Sequence, residues 1–225
     1  AYVKGEGVAG GSSSSSSGSG RPPSDDKMTA AMFTVGEIAA QTNIMPPADC
    51  LTFIQALVTA PGGLVPQPPP TGSTGGNTTT AVSLVVQAHA WTSLGKLCLV
   101  SETLAKRCLP LFVQSLTSAE SPAVRNNILV ALVDLCVRYT ALVDPYVLRL
   151  AACFRDDNEL VRRQALSLLA SLLQRDYLKW RGPLFTRFLV LLVDPSPELA
   201  SLAQCLLSET VASKGPLLPY NHFIE

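Results

Sequence analysis

From residue 124 onward the chain writes one pattern twice: VRNNILVALVDLCV, residues 124–137, is followed 37 residues later by VRRQALSLLASLLQ, residues 161–174. In both, apolar residues return every three or four positions, the spacing of one helix face. In the first, Val124, Ile128, Leu132 and Leu135 form one stripe, and Leu129 and Val133 form a second beside it. That is more apolar circumference than a single partner covers, so such a helix has to be buried on two sides.

Written under one another, VVQAHAWTSLGKLCLV (85–100), AVRNNILVALVDLCVR (123–138), LVRRQALSLLASLLQR (160–175) and ELASLAQCLLSETVAS (198–213) align at offsets of 38, 37 and 38. An earlier copy stands at residues 30–41, where Thr34-Val-Gly-Glu matches Ser93-Leu-Gly-Lys 59 residues on; removing a 20-residue low-complexity insertion leaves 39. Between the copies lie shorter apolar segments at 48–58, 103–116, 145–154 and 183–193, each read as a second helix. Two helices per unit at this period point to an all-α solenoid of the HEAT/armadillo type, about five helix pairs long, at the short edge of that class's repeat length. The Trp-Leu-Gly-Tyr pattern of TPR repeats and the T-P-L-H of ankyrin repeats are missing from the sequence. Pro122, Pro145, Pro183, Pro195 and Pro197 fall near the expected helix starts, where the absent N–H is not needed.

Two stretches break the pattern. Residues 1–27, dominated by GGSSSSSSGSGRPPSDD at 10–26, carry too little apolar surface to offset the entropy of ordering and are expected to be a disordered linker. Residues 61–80, PGGLVPQPPPTGSTGGNTTT, have the same character, yet a solenoid accepts a long loop at small entropic cost. The expected organisation is therefore a linker at 1–27 and a solenoid over 28–225, interrupted by a low-complexity loop at 61–80. The absence of an initial Met and the ending on HFIE read as a piece of something longer.

Composition narrows the function classes. Aromatic residues are only 6% of the chain and the formal net charge is zero, so no global field calls for nucleic acid or an anionic membrane. No apolar run reaches a membrane span, and none of the six cysteines stands in a C-x-x-C or at zinc spacing with a histidine. They read as core thiols, with Cys98, Cys136 and Cys205 on apolar helix faces. His89 and His222 are the only histidines, with no ligand at metal spacing. No G-x-x-x-x-G-K-[ST] or G-x-S-x-G occurs, so the expectation is a non-enzyme with no cofactor, metal or small-molecule substrate.

What remains is charge placement. Asp156 and Asp194 each stand six residues before the equivalent positions Arg162 and Ala200, in the intra-repeat turns that lead into the long helices. HEAT repeats often carry there an Asp that bonds the Arg of an adjacent repeat, so Arg125 is expected to pair with Asp156 and Arg162 with Asp194. Between 160 and 190 six basic residues, Arg162, Arg163, Arg175, Lys179, Arg181 and Arg187, face one acid, Asp176. Such a cluster suits phosphate contact, with Lys179 and Arg181 in the turn as its centre; equally, a ladder employs Arg162 and a helix C-terminus favours Arg175 for its dipole alone. Trp180, in a polar loop, is either an anchor for a partner or inter-repeat packing.

Several blocks carry a resemblance beyond the generic repeat. AHAWTSLGKLCL (88–99), LAKRCLP (104–110), AVRNNILVALVDLCVRYT (123–140), VDPYVLRL (143–150), VRRQALSLLASLLQRDYLKWRGPLFTRF (161–188) and HFIE (222–225) resemble, in order, the HEAT-repeat D-type non-SMC subunit of condensin, and most of all its condensin II version. The resemblance runs from about Phe33 to Glu225 and leaves residues 1–27 outside. It implies a nuclear, chromosome-bound scaffold that binds the kleisin subunit, joins the SMC ATPases through the complex, and helps hold DNA during mitotic chromosome condensation. A reader of histone tails is a further reading within the chromatin class, although no aromatic cage can be drawn from five tyrosines and two tryptophans. The competing reading is a generic HEAT adaptor, a transport or phosphatase scaffold that grips peptides and ignores DNA.

Overall fold

A computed structural model describes residues 24–59, 64–66, 79–81, 83–214 and 220. Expectations for residues 1–23, for most of the 61–80 insertion and for HFIE lie outside these residues. Long helices are α1 (Asp25–Thr42), α3 (Leu84–Val100), α5 (Pro122–Arg138), α8 (Glu159–Gln174) and α10 (Pro197–Lys214). Between them stand α2 (Ala48–Thr59), α4 (Glu102–Ser118), a broken segment containing α6 (Thr140–Val143) and α7 (Val147–Leu150), and α9 (Gly182–Val190). The long helices contact one another in chain order, and α3, α5, α8 and α10 also pack on second elements beside them. The result is the expected all-α stack of helix pairs.

Local chemistry sets the helix ends. The Ser83 hydroxyl accepts the Val85 amide, Ser101 the Leu104 amide, and the Asn158 side chain the Leu160 amide, each satisfying a donor that the first turn cannot. Pro122 and Pro197 open α5 and α10, and Pro183 lies in the first turn of α9. α1 starts at Asp25 rather than at the expected boundary of 28, because Asp25 and Asp26 place negative charge at the positive end of its dipole.

The second elements depart from the expected uniform short helix. α4 is 17 residues long, as long as α3, and runs through Pro110 at the expense of one helical hydrogen bond. The stretch 140–155 is instead a chain of single turns. A 3₁₀ turn at Asp144–Tyr146 follows α6, and a second, Ala151–Arg155, follows α7. Pro145 cannot supply the amide that would continue α6. α9 likewise tightens into a 3₁₀ turn at Leu191–Val193. In the insertion, β1 (Leu64–Pro66) pairs antiparallel with β2 (Thr79–Ala81).

The two-sided burial read from the pattern is present. Val124, Ile128, Leu132 and Leu135 are buried, and so are Leu129, Val133 and Cys136 on the adjoining face. Trp91 is buried edge-on against Phe112, with ring centroids 5.1 Å apart, joining α3 to α4. Phe154 meets Phe188 at 4.8 Å and joins the broken segment to α9. Cys98, Cys108, Cys136 and Cys153 are buried, but Cys205 is exposed: it falls between the inward positions Ala203 and Leu206 of α10, and its thiol lies 3.7 Å from Glu209. Among the described residues no helix is long and apolar enough to cross a membrane.

Candidate functional site

Stacking is enforced in two ways along the long-helix layer. At its C-terminal end, Arg125 Nε and Nη2 donate to Asp156 at 2.7 and 2.8 Å, while its Nη1 donates to the carbonyls of Ala119 and Glu120. Arg162 repeats the arrangement on Asp194 at 2.8 and 3.0 Å, with the Asp156 and Asp157 carbonyls. Each guanidinium thus ties its own entry turn to the next one, in the planar two-point geometry that suits Arg and not Lys. Hydrogen bonds to the two carboxylates raise the pKa of both arginines. Burial pushes the Asp194 carboxyl up, but Arg162 and the Ser196 amide outweigh it and hold the group below the usual range.

Nearer the N-terminus the long helices instead approach closely through small residues. A Cβ placed on Gly95 would stand 2.7 Å from that of Ala131, and one on Gly36 would stand 3.3 Å from Ser93 Cα. That proximity lets side chains reach the backbone of the preceding long helix: Ser93 donates to Met32 O at 2.9 Å, Asn127 to Ala88 O at 3.1 Å and Tyr139 to Leu99 O at 2.9 Å. Glu37, Lys96 and Asp134 occupy equivalent places in successive copies, at offsets of 59 and 38, and alternate in sign. Lys96 bonds Glu37, and its ammonium lies 4.5 Å from the Phe33 ring centroid.

The basic cluster of 160–190 is dispersed by the fold. Arg162 belongs to the clamp. Arg163 reaches Glu159 at 3.1 Å and Glu198 at 2.9 Å, bridging α8 to α10. Arg181 pairs with Asp144 at 2.6 Å. Arg175 and Lys179 are exposed and form no ion pair among the described residues; Arg175 lies 5.2 Å from the Tyr177 ring centroid. Arg187 is half-buried and turns to a cleft of about 270 Å³ that it shares with Arg155, a residue the 160–190 window leaves out. Only Arg175 and Lys179 therefore stand together as an open basic turn.

Trp180 is not available as an anchor. Its side chain is 9% exposed and packs edge-on against Phe185 and Phe188, with centroids 5.6 and 5.1 Å away. The cause is the turn after α8. Asp176 adopts φ 62°, and the amides of Tyr177 and Leu178 both return to Leu172 O, which folds Leu178 and Trp180 inward. The aromatic spacing Trp180, Phe185, Phe188 was the available signal.

Among the described residues no group of three or more His, Cys, Asp or Glu could hold a metal. Cys98 and Cys108 face each other inside the α3–α4 pair. Their mutual interaction, with burial, pushes the Cys98 thiol up and, helped by Gln55, whose amide lies 3.9 Å from the sulfur, holds the Cys108 thiol down.

Two family models tile the chain. One described as "Condensin-2 complex subunit D3-like. HEAT repeats" matches residues 25–116, and one described as "non-SMC mitotic condensation complex subunit 1" matches 123–225. The chain is 44% identical over 145 residues to condensin-2 complex subunit D3 of Mus musculus, covering 64% of this chain and 10% of that protein. It is 47% identical over 141 residues to condensin-2 complex subunit CAP-D3 of Arabidopsis thaliana, covering 63% and 11%. Against condensin complex subunit 1 of Homo sapiens it is 36% identical over 130 residues, covering 58% and 9%. It spans about a tenth of the length of these relatives.

Proposed function

Because the chain belongs to the D-type, non-SMC HEAT-repeat subunits of condensin, we propose that it is a length of non-catalytic scaffold in a condensin complex of the nucleus and chromosomes. In this role the stack binds a kleisin segment and contacts DNA during mitotic chromosome condensation, while ATP chemistry resides in the SMC partners. The observation that carries the reading is the tiling of 25–116 and 123–225 by the two condensin models, over helices clamped in one continuous stack. The generic-adaptor alternative has no comparable support.

DNA contact is assigned to the turn after α8, with Arg175 and Lys179 as the charges that reach phosphate and Arg181 shared with Asp144. Its support is the exposure of the first two and their lack of a carboxylate partner among the described residues. Arg163, bridging Glu159 and Glu198, is committed to packing α8 on α10.

Purifying the full-length protein from mitotic extract tests the assignment: SMC ATPases are expected to accompany it, and a transport cargo in their place would overturn it. Replacing Arg175 and Lys179 by Glu is expected to weaken duplex binding roughly tenfold or more and to flatten its salt dependence. Unchanged affinity would remove the turn from the DNA-binding surface.

A further inference from the structure

The second-element layer carries a cleft that the scaffold reading does not use. After α7 the chain tightens into the 3₁₀ turn Ala151–Arg155, whose small Ala151 and Ala152 leave room against α9. The cleft of about 270 Å³ is lined by Ala152, Val190 and the largely buried Phe154, together with Arg155 and Arg187. On the far side of Arg155 a second cleft, about 250 Å³, is lined by Thr117, Asp157 and the Arg125–Asp156 clamp. Arg155 is exposed and Arg187 half-buried, and neither makes an ion pair among the described residues. Arg125, Arg162, Arg163 and Arg181 all have one. Arg155 is also particular to this junction, since the equivalent positions in the neighbouring copies are Ser118 and Val193.

We propose that the Arg155–Arg187 cleft receives an extended acidic segment of a protein partner. One apolar side chain sits on Ala152 and Val190, and flanking carboxylates are held by the two guanidinium groups. Two cations that form no ion pair among the described residues, beside the apolar Ala152 and Val190, complement that chemistry, because Arg grips carboxylate at two points and the apolar surface takes up a side chain. Duplex DNA fits poorly, because each cleft is about the size of a side chain and cannot admit a sugar-phosphate backbone. The inference deepens the scaffold reading by giving the chemistry of a segment it would bind, and rests on that reading only for the partner's identity.

The test uses the full-length protein and a fluorescent decapeptide alternating leucine and glutamate, with a leucine–lysine peptide as its counterpart, followed by fluorescence polarisation. The glutamate peptide is expected to bind saturably and the lysine peptide at least tenfold more weakly. Arg155→Glu with Arg187→Glu is expected to reverse that preference, and the milder Arg155→Ala with Arg187→Ala to abolish it. Circular dichroism identifies any variant that fails to fold, and the alanine pair then decides. Equal binding of both peptides, retention of the glutamate preference in the alanine pair, or displacement of the peptide by duplex DNA in an Arg155-dependent way would overturn the proposal. SMC co-purification reads the scaffold assignment separately, so failure of one is distinguishable from failure of the other.

Discussion

The two ends of the long-helix layer solve one packing problem differently. From α1 through α3 to α5 the helices touch through small residues, Gly36 on Ser93 and Gly95 on Ala131, with side chains reaching neighbouring carbonyls. From α5 through α8 to α10 the entry turns are tied by Arg125–Asp156 and Arg162–Asp194. Close approach through small residues relies on dispersion and shape, which is unforgiving of added volume. A guanidinium clamp relies on charge, which is unforgiving of losing one partner. The same repeat is therefore sensitive to different substitutions at its two ends.

The largest effect is expected at the clamps. The side chains of Arg162 and Asp194 are 12% and 4% exposed, so Asp194→Ala strands a nearly buried guanidinium. A loss of about 3 to 5 kcal/mol is expected, read as a lower urea midpoint followed by circular dichroism. Asp156→Ala should lose a similar amount, since that pair is 14% and 9% exposed. A loss below that of an ordinary surface pair, about 1 kcal/mol, would mean that the clamps are ornamental and the two ends alike.

Next comes added volume at the N-terminal end. Gly95→Ala removes a helix-destabilising glycine but sets its Cβ 2.7 Å from that of Ala131, so the gain in propensity is outweighed. Gly95→Val is expected to cost about 1 to 3 kcal/mol. Gly36→Ala is milder, because one of its close neighbours is the flexible Lys96 stem. A Gly95→Val protein as stable as the parent would show that α3 and α5 can slide apart, which the bonds from Asn127 and Tyr139 to the α3 backbone argue against.

What the sequence reveals divides along the same line. Stripes on two faces of α5 are visible because burial on both sides leaves few polar positions, and the recurrence at 37 and 38 residues makes the stack readable. The arginine clamps are legible because a fixed spacing carries them. The N-terminal contacts are not: glycine in a helix has many causes, and only the alignment of Glu37, Lys96 and Asp134, once their proximity is known, gives the charge alternation away. The basic cluster misleads for a physical reason, since a window along the chain mixes residues that a helical repeat sends to different faces. It thus joins Arg163, bound to α10, with Arg187, which faces a cleft completed by Arg155. Trp180 misleads likewise, because a left-handed residue, Asp176, turns its loop back into the core.

The smallest expected effect, at Asp134, sharpens the comparison most, because its sign is opposite to that at the Asp194 clamp. Asp194 is held below the ordinary carboxylate value of about 3.9. Its charge therefore stabilises the fold above that value, and the contribution disappears as pH falls through the lower folded value. Asp134, at the exposed flank of α5 that faces α3, is raised by partial desolvation, which Lys96 only partly offsets. Its ionised form opposes folding at neutral pH, and that penalty lifts on acidification once the carboxyl takes up its proton. Asp194→Asn should accordingly lower stability at pH 7, with the difference from the parent shrinking towards pH 2. Asp134→Asn should raise stability slightly at pH 7, and its difference should already fade at a higher pH than that of Asp194→Asn. Urea titrations at a series of pH values measure both. If the two asparagine variants departed from the parent in the same direction at neutral pH, charge would have the same role at both ends, and the division between close contact and ionic clamp would have to be abandoned.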